Sequence, residues 1–186
     1  MVEIEILFDD SGSGGAMRQL SVESSKRLSA LDQPGSEAFA VIDQRHPDQA
    51  LFGLVCDPRA PVRLAAAKAL CGHDNSNALA LIAVGRAAIG GGDAMRVLMI
   101  YPRPEGSRLV EDPDRQPAKI ESRILFTQIV GPIAEALTDW ESRGLCHGAV
   151  RPENLFMPAT STDRRNTGVK SFCWCFEPQR LAWPFV

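Results

Sequence analysis

The sequence has no long apolar run, no signal segment and little net charge, and each absence excludes a class of protein. No stretch approaches the roughly 20 apolar residues of a membrane-spanning helix. The acidic, alternating start MVEIEILFDD is unlike a secretory signal peptide. A formal net charge of −3 argues weakly against non-specific binding to nucleic acid. Five cysteines, an odd number without a secretory signal, indicate a reducing cytoplasm.

The composition is otherwise ordinary and bounds the size of the fold. Of the 186 residues, 45% are hydrophobic and 23% are charged, as in most soluble globular domains. This length allows one domain or a small two-lobed unit, and either can bury a core.

The first half of the chain is predicted to be rich in strands. Residues 2–6 alternate between apolar side chains and glutamates, which indicates a short strand, and residues 11–15 are typical of a flexible linker. One helix is predicted over residues 61–70, with Gly72 as its stop. Three further strands precede this helix and two follow it, at residues 28–31, 38–42, 51–56, 79–84 and 97–100.

The second half is predicted to be dominated by one long helix, which follows a stiff connector at residues 101–106. Gly131 and Pro132 inside the helix predict a bend or a bulge, and residues 143–144 its end. A last strand is predicted at residues 169–172. The apolar residues of the helix recur near helical spacing, at Ile120, Ile124, Ile129, Ile133, Leu137 and Trp140.

The most specific motif lies directly after this helix. Residues 147–156 read HGAVRPENLF, which resembles the catalytic loop of protein kinases, H-R-D-L-K-P-E-N-L-F. Six of the ten positions are identical. Ala149 stands where an aspartate would accept the proton of the substrate hydroxyl group. Since alanine cannot accept a proton, the resemblance implies a kinase ancestry and the loss of phosphoryl transfer.

The resemblance implies a role for the other loop positions. His147 matches a histidine that braces the loop through backbone hydrogen bonds, and Gly148 replaces an arginine that pairs with a phosphorylated segment in many kinases. Arg151 matches the lysine that contacts the transferred phosphate, although a surface cation is the plainer interpretation. Asn154 matches a ligand of the second magnesium ion. We favour a structural role for it, since an asparagine can bond backbone groups without any metal.

The other groups that a kinase uses to hold phosphate and metal are missing from the matching positions. The third of the five strands places Val55, or Cys56 in the neighbouring register, where the phosphate-binding lysine would stand. The helix after it offers no acidic partner, and only Gly35 remains of a phosphate-cradling loop. Residues 173–175, Cys-Trp-Cys, take the place of the metal-binding Asp-Phe-Gly, with Glu177 the nearest acid.

Cys173 and Cys175 could also suggest a metal site, together with Cys146 and His147. Zinc sites usually need two ligand pairs at wider spacing. We therefore interpret these cysteines as small buried hydrophobic residues and expect no metal.

These observations predict an α+β fold that resembles a protein kinase. Its N-lobe would be a five-stranded antiparallel sheet with one helix, and its C-lobe would be partial and helical. We divide the chain into an N-terminal strand and linker (residues 1–26), an N-lobe with hinge (residues 27–106) and a partial C-lobe (residues 107–186). A kinase domain continues through further helices, so we expect a fragment, a truncated product or a chain completed by a partner.

The predicted function is that of a pseudokinase, a catalytically inactive kinase-like domain that acts as a regulatory or protein-binding scaffold in the cytoplasm. Val55, Tyr101, Arg151 and Asn154 are candidates for a weak nucleotide cleft. No cofactor is expected. ATP and magnesium would be needed only by the alternative, an atypical kinase that uses Asn154, Arg151 and Glu177 in rearranged roles. An unrelated α+β interaction domain is the second alternative.

A protein partner or self-association is expected from the apolar stripe of the long helix. One sheet with a single helix cannot cover all of these apolar faces. Leaving them uncovered would forfeit roughly 25 cal/mol per Å² of burial. Nucleic acid is not expected as a partner, and no membrane segment is expected in this chain.

Overall fold

The structure, a computed structural model, describes residues 1–11, 17–33, 35–59, 62–90, 94–104, 106–110, 120–145, 150–157 and 170–171. The strands are β1 (Val2–Glu3), β2 (Glu5–Asp9), β3 (Leu20–Arg27), β4 (Ser36–Asp43), β5 (Leu51–Cys56), β6 (Ala83–Ala88), β7 (Met95–Pro102), β8 (Ser107–Arg108), β9 (Leu155–Met157) and β10 (Lys170–Ser171). The helices are α1 (Leu64–Leu70), α2 (Ser122–Ile124), a π-helical turn (Leu125–Val130) and α3 (Gly131–Ser142). Short 3₁₀ turns span Ser29–Leu31 and Pro152–Asn154.

Seven of the strands form one antiparallel sheet in the order β1-β3-β4-β5-β7-β6-β2. Only Ile4 separates β1 from β2, yet β1 pairs with β3 and β2 pairs with β6. One continuous segment, residues 2–9, therefore joins the two outer strands of the other five and closes the sheet on itself. We call this segment the N-terminal strap.

The prediction of a five-stranded sheet is wrong, because the strap adds a strand at each edge. The strand predicted at residues 28–31 is also wrong: Ser29–Leu31 form a 3₁₀ turn, and the strand lies earlier, at Leu20–Arg27. Residues 24–27 of that strand are exposed and polar, so its sequence lacks the alternation that reveals a half-buried strand.

The remaining strands of the sheet agree better with the sequence prediction. Strands β4, β5 and β7 confirm the strands predicted at residues 38–42, 51–56 and 97–100. Strand β6 begins at Ala83 rather than at residue 79, and α1 confirms the helix between β5 and β6. Continuous apolar runs made these elements recognisable, since a strand that is buried on both faces needs apolar residues throughout.

The closed sheet separates two apolar clusters, because successive side chains along a strand point to opposite faces. The helix-side cluster joins the sheet to α1, α3 and β9. Its buried members are Ala38, Phe52, Leu54, Cys56, Ala67, Leu70, Ala78, Leu79, Leu81, Val84, Met99, Tyr101, Trp140 and Phe156. The strand-side cluster joins the sheet to the strap: Ile4, Leu20, Val22, Phe39, Val41, Leu51, Val55, Ile82, Ala83, Ala87, Ile89, Leu98 and Ile100.

Gly85 in β6 is the point over which the strap passes. A Cβ atom at this position would overlap Ile4 Cγ2 and would lie 2.8 Å from the backbone oxygen of Glu5. The second contact is with the main chain, which cannot rotate away as a side chain can. A glycine is therefore required where two backbones approach this closely.

The long helix (residues 122–142) contains the irregularity that its sequence predicts. The π-helical turn Leu125–Val130 comes directly before Gly131 and Pro132, which confirms the predicted bulge. Proline has no N–H group to bond the carbonyl one turn earlier, so the ladder must adjust there. The helix ends at Ser142, and Gly144 follows with a φ of 70°, as predicted for the stop.

A second, three-stranded sheet carries the end of the kinase-like motif. Strand β9 lies between β8 and β10, and Arg108 and Lys170 both pair with Phe156. Strand β10 lies within the strand predicted at residues 169–172. Leu155 packs with Ile129 of the long helix, which fixes this sheet against it. Within the described ranges, no helix is both long and apolar enough to cross a membrane.

Candidate functional site

Strand β5 contains Val55 and Cys56, the two positions predicted to match a kinase's phosphate-binding lysine. All six of its residues are buried and none is charged. Val55 lies in the strand-side cluster, whereas Cys56 lies in the helix-side cluster. Neither Val55 on one face of the sheet nor Cys56 on the other therefore offers a cation to a phosphate group.

The predicted nucleotide-cleft residues do not all come together. Tyr101 is fully buried in the helix-side cluster and stacks on Phe52, with 5.7 Å between ring centroids. Val55 faces the other side of the sheet, away from Tyr101. Their assignment to a nucleotide stays a prediction, and in this structure they do not line one surface.

Helix α1 follows β5 and contains no acidic residue of the kind that pairs with the phosphate-binding lysine in a kinase. Its sequence, LAAAKAL, contains one charged residue, Lys68, which is exposed in the last turn. Ala67 and Leu70 face inward and pack in the helix-side cluster. The helix therefore covers the sheet without presenting a carboxylate to it.

The described part of the kinase-like loop begins at Val150. Val150 and Arg151 are exposed, and the backbone N–H of Asn154 donates to the carbonyl of Arg151 at 2.9 Å. The Asn154 side chain is only 1% exposed, so it belongs to the interior of the loop. His147 and Ala149 lie outside the described residues, as do Cys146, Cys173, Cys175 and Glu177.

Phe156 and Arg108 form a contact that the sequence does not reveal. Phe156 is buried in the helix-side cluster, and the Arg108 guanidinium lies 5.7 Å from the centroid of its ring. Arg108 Nη2 also donates to the backbone oxygen of Asp32 at 2.7 Å. The segment after β3 is thereby fixed against the sheet that carries the kinase-like motif.

Asp32 is the charged centre of that segment. Its carboxylate accepts hydrogen bonds from Arg27 Nη2 at 2.6 Å and from the backbone N–H of Ala38 at 2.8 Å. Arg27 Nη1 also lies 2.8 Å from Glu37 Oε1. The hydrogen bond from Arg27 to Asp32 raises the pKa of Arg27, helped by the charges of Asp32 and Glu37.

A polar cluster joins the segment before β6 to α3. His73 Nε2 lies 2.5 Å from Asp139 Oδ2, and Asn75 Nδ2 donates to the same oxygen at 2.9 Å. The contact with His73, followed by the Asn75 hydrogen bond, lowers the pKa of Asp139 to about 2. Trp140, the next residue, is buried in the helix-side cluster. Polar and apolar contacts therefore hold the sheet and α3 together.

The long helix is only partly covered. Ile129, Ala136 and Trp140 are buried, whereas Phe126 is 64% exposed. Exposed apolar side chains concentrate in its first half, at Ile124, Leu125, Phe126 and Val130. We call these four residues the exposed helix face.

No constellation suited to a metal ion occurs in the described ranges, where three or more His, Cys, Asp or Glu side chains do not converge. Cys71 is partly buried, and its Sγ lies 3.2 Å from the carbonyl oxygen of Ile82. Burial, followed by the charges of Asp10 and Asp9, raises the pKa of this thiol to about 12. Cys71 is therefore protonated at neutral pH.

Comparison with known proteins finds similar folds at low sequence identity. No protein-family model matches the chain, and no curated protein matches its sequence. Among solved structures, a mutant form of the Mycobacterium tuberculosis PknI kinase domain is 17% identical with a TM-score of 0.61. The match covers 90% of this chain and 64% of that one. Rad53 1-466 in complex with AMP-PNP is 14% identical with a TM-score of 0.60, covering 83% and 38%.

A third similar structure includes a pseudokinase. The complex of Neurospora crassa PAN2 (WD40-CS1) with PAN3 (pseudokinase and C-term) is 16% identical with a TM-score of 0.55, and the match covers 86% of this chain and 40% of that one. The chain thus spans between 38% and 64% of the chains that it resembles. Identities this low show the fold alone, and that fold is kinase-like.

Proposed function

We propose that this chain is a catalytically inactive kinase-like domain that serves as a protein-binding or regulatory scaffold. The observation that carries the proposal is strand β5, whose six buried residues include no charged side chain. Phosphoryl transfer depends on positioned charges that neutralise the phosphate oxygens. A strand that offers Val55 and Cys56 in the place of a lysine cannot supply that charge.

Two further losses in the sequence support the same conclusion. Ala149 cannot accept the proton of an attacking hydroxyl group, and residues 173–175 contain no metal-binding carboxylate. Catalytic groups that act as a unit lose nearly the whole rate enhancement when one member is removed. With the base, the phosphate cation and the metal ligand all absent, we expect no measurable transfer.

Weak nucleotide binding is also part of the proposal. Tyr101 and Phe156 lie in one apolar cluster, against which Leu28 and Leu31 pack. Apart from the Arg108 guanidinium, which lies against Phe156 and bonds the Asp32 carbonyl oxygen, these contacts are between apolar side chains. A flat ring could find apolar contacts there, but a triphosphate would find few partners.

The binding role rests on the exposed helix face. Apolar side chains at Ile124, Leu125, Phe126 and Val130 favour association with a partner or with a second copy. The PAN3 pseudokinase occurs in a complex with PAN2, so a chain with this type of fold can be part of an assembly. The cytoplasm remains the proposed compartment.

An assay with radiolabelled ATP tests the loss of catalysis. The chain is incubated with generic substrates and alone, with magnesium, beside a competent kinase as a positive control. We expect no incorporation above the background of a heat-denatured sample. Incorporation that disappears in Asn154→Ala would instead support the alternative of an atypical kinase.

That alternative has one observation in its favour, since Arg151 is exposed and Asn154 is retained beside it. A thermal-shift titration with ATP, with and without magnesium, separates the two proposals. An inactive scaffold should show little change at millimolar nucleotide. A magnesium-dependent rise of several degrees that Arg151→Gln abolishes would support a working phosphate site.

A further inference from the structure

Residues 28–33, which we call the lid, cover the apolar cluster beside the kinase-like motif. Leu28 and Leu31 are partly buried and pack against the helix-side cluster, which contains Phe52, Tyr101 and Phe156. The lid is a 3₁₀ turn flanked by Leu28 and by residues 32–33, with no long run of backbone pairing of its own. Its position therefore depends on the contacts at its ends.

The end of the lid is held at Asp32 from two sides. Its carboxylate bonds Arg27 and the backbone N–H of Ala38 in the large sheet, and its backbone oxygen bonds a basic side chain of the neighbouring sheet. Arg108 Nη2 donates to the Asp32 carbonyl oxygen at 2.7 Å, and the guanidinium lies against the ring of Phe156. Since Arg108 and Phe156 are paired across β8 and β9, this contact connects the lid to the motif strand. Arg108 therefore acts as a latch.

The closed position also contains an unfavourable feature. Gln33 is buried, with only 6% of its surface exposed. Within the described part of the chain, neither its side-chain Nε2 nor its Oε1 has a hydrogen-bond partner. Ser36 pairs with Gln33 through the backbone. Its side-chain hydroxyl is also buried and has no hydrogen-bond partner in the described part of the chain. Buried polar groups without partners destabilise the conformation that buries them.

We propose that the lid has a closed and an open position, that the Arg108 latch holds it closed, and that opening hydrates Gln33 and Ser36 while uncovering the cluster around Phe156. In the closed position the latch, the bonds of the Asp32 carboxylate and the lid's apolar contacts oppose the cost of the buried polar groups. Arg108 is thus the contact that couples the lid to the motif strand, beside the bonds from Arg27 and Ala38 that hold Asp32 to the large sheet. This inference does not depend on whether the chain transfers phosphate.

Hydrogen exchange of backbone amides tests the lid in the intact chain. The amides of Leu28 and Gln33 report on it, because their hydrogen bonds go to Ala38 and Ser36, outside the lid. Amides of β5 report on global unfolding. Arg108→Met keeps an apolar stem against Phe156 but removes the donor, and Arg103→Met, an exposed arginine of the preceding connector, is the matched control.

We expect Arg108→Met to speed exchange at the lid amides by about tenfold, with β5 unchanged, and Arg103→Met to leave both at wild-type rates. Gln33→Leu removes the unpaired amide and should slow lid exchange by about tenfold. Equal lid rates in the two arginine variants would overturn the latch. Lid exchange that stays the same or quickens in Gln33→Leu would overturn the two-position proposal, whatever happens to the arginine variants.

Discussion

Replacing Gly85 by alanine should weaken the closed sheet far more than the added methyl group alone suggests. The new Cβ would lie 2.8 Å from the backbone oxygen of Glu5 and would overlap Ile4 Cγ2. Overpacking of this kind costs about 1–3 kcal/mol. The smaller entropy of the unfolded alanine chain returns about 0.4–1 kcal/mol. We therefore expect a net loss of about 1–2 kcal/mol in the free energy of unfolding.

Urea denaturation measures this change, and a second glycine of the sheet provides the control. At a slope of roughly 2 kcal/mol per molar urea, Gly85→Ala should lower the midpoint by about 0.5–1 M. Gly53 lies in β5, where an added Cβ would meet only side chains, with Val41 Cγ2 at 3.1 Å and Leu98 Cδ2 at 3.3 Å. These can shift, so Gly53→Ala should cost less. Equal midpoints for the two variants would refute the argument that the strap requires Gly85.

Three other predictions concern single side chains. Because the pKa of Asp139 is lowered to about 2 from an ordinary value near ~4, its contribution to stability is present above pH ~4 and is lost as the pH falls towards ~2. Asp139→Asn should flatten that part of the pH–stability curve, and an unchanged curve would contradict the role of the His73 contact. Phe126→Ser should lower the mass measured by light scattering at micromolar concentration, whereas a wild-type monomer would contradict self-association. Ala149→Asp alone should not create kinase activity, since the phosphate cation and the metal ligand would still be absent.

Elements with strong local patterns could be predicted from the sequence. Strand β5 is a continuous apolar run, and the Gly131–Pro132 pair specified the irregular turn before α3 because proline lacks an N–H group. The kinase-like loop was recognisable as a string of residues. Its position after a long helix then suggested the fold that the solved structures also show.

Contacts between distant parts of the chain could not be predicted. Arg108 meets Asp32 across 76 positions, and His73 meets Asp139 across 66. Charged residues with such roles look like ordinary surface residues, because composition and periodicity carry no information about partners far along the chain. The strap was missed for the same reason: its sequence indicates a strand, but not that the strand pairs at two edges.

The strap also determines how this sheet avoids unwanted association. An open sheet presents a row of unpaired N–H and C=O groups at each side, and such rows recruit strands from other molecules. Here the strap pairs with the first residues of β3 and with residues 83–86 of β6. Cleavage within residues 2–9 would therefore expose unpaired backbone groups on β3 and β6 at once, although the two strands lie at opposite edges of the five strands that the strap joins.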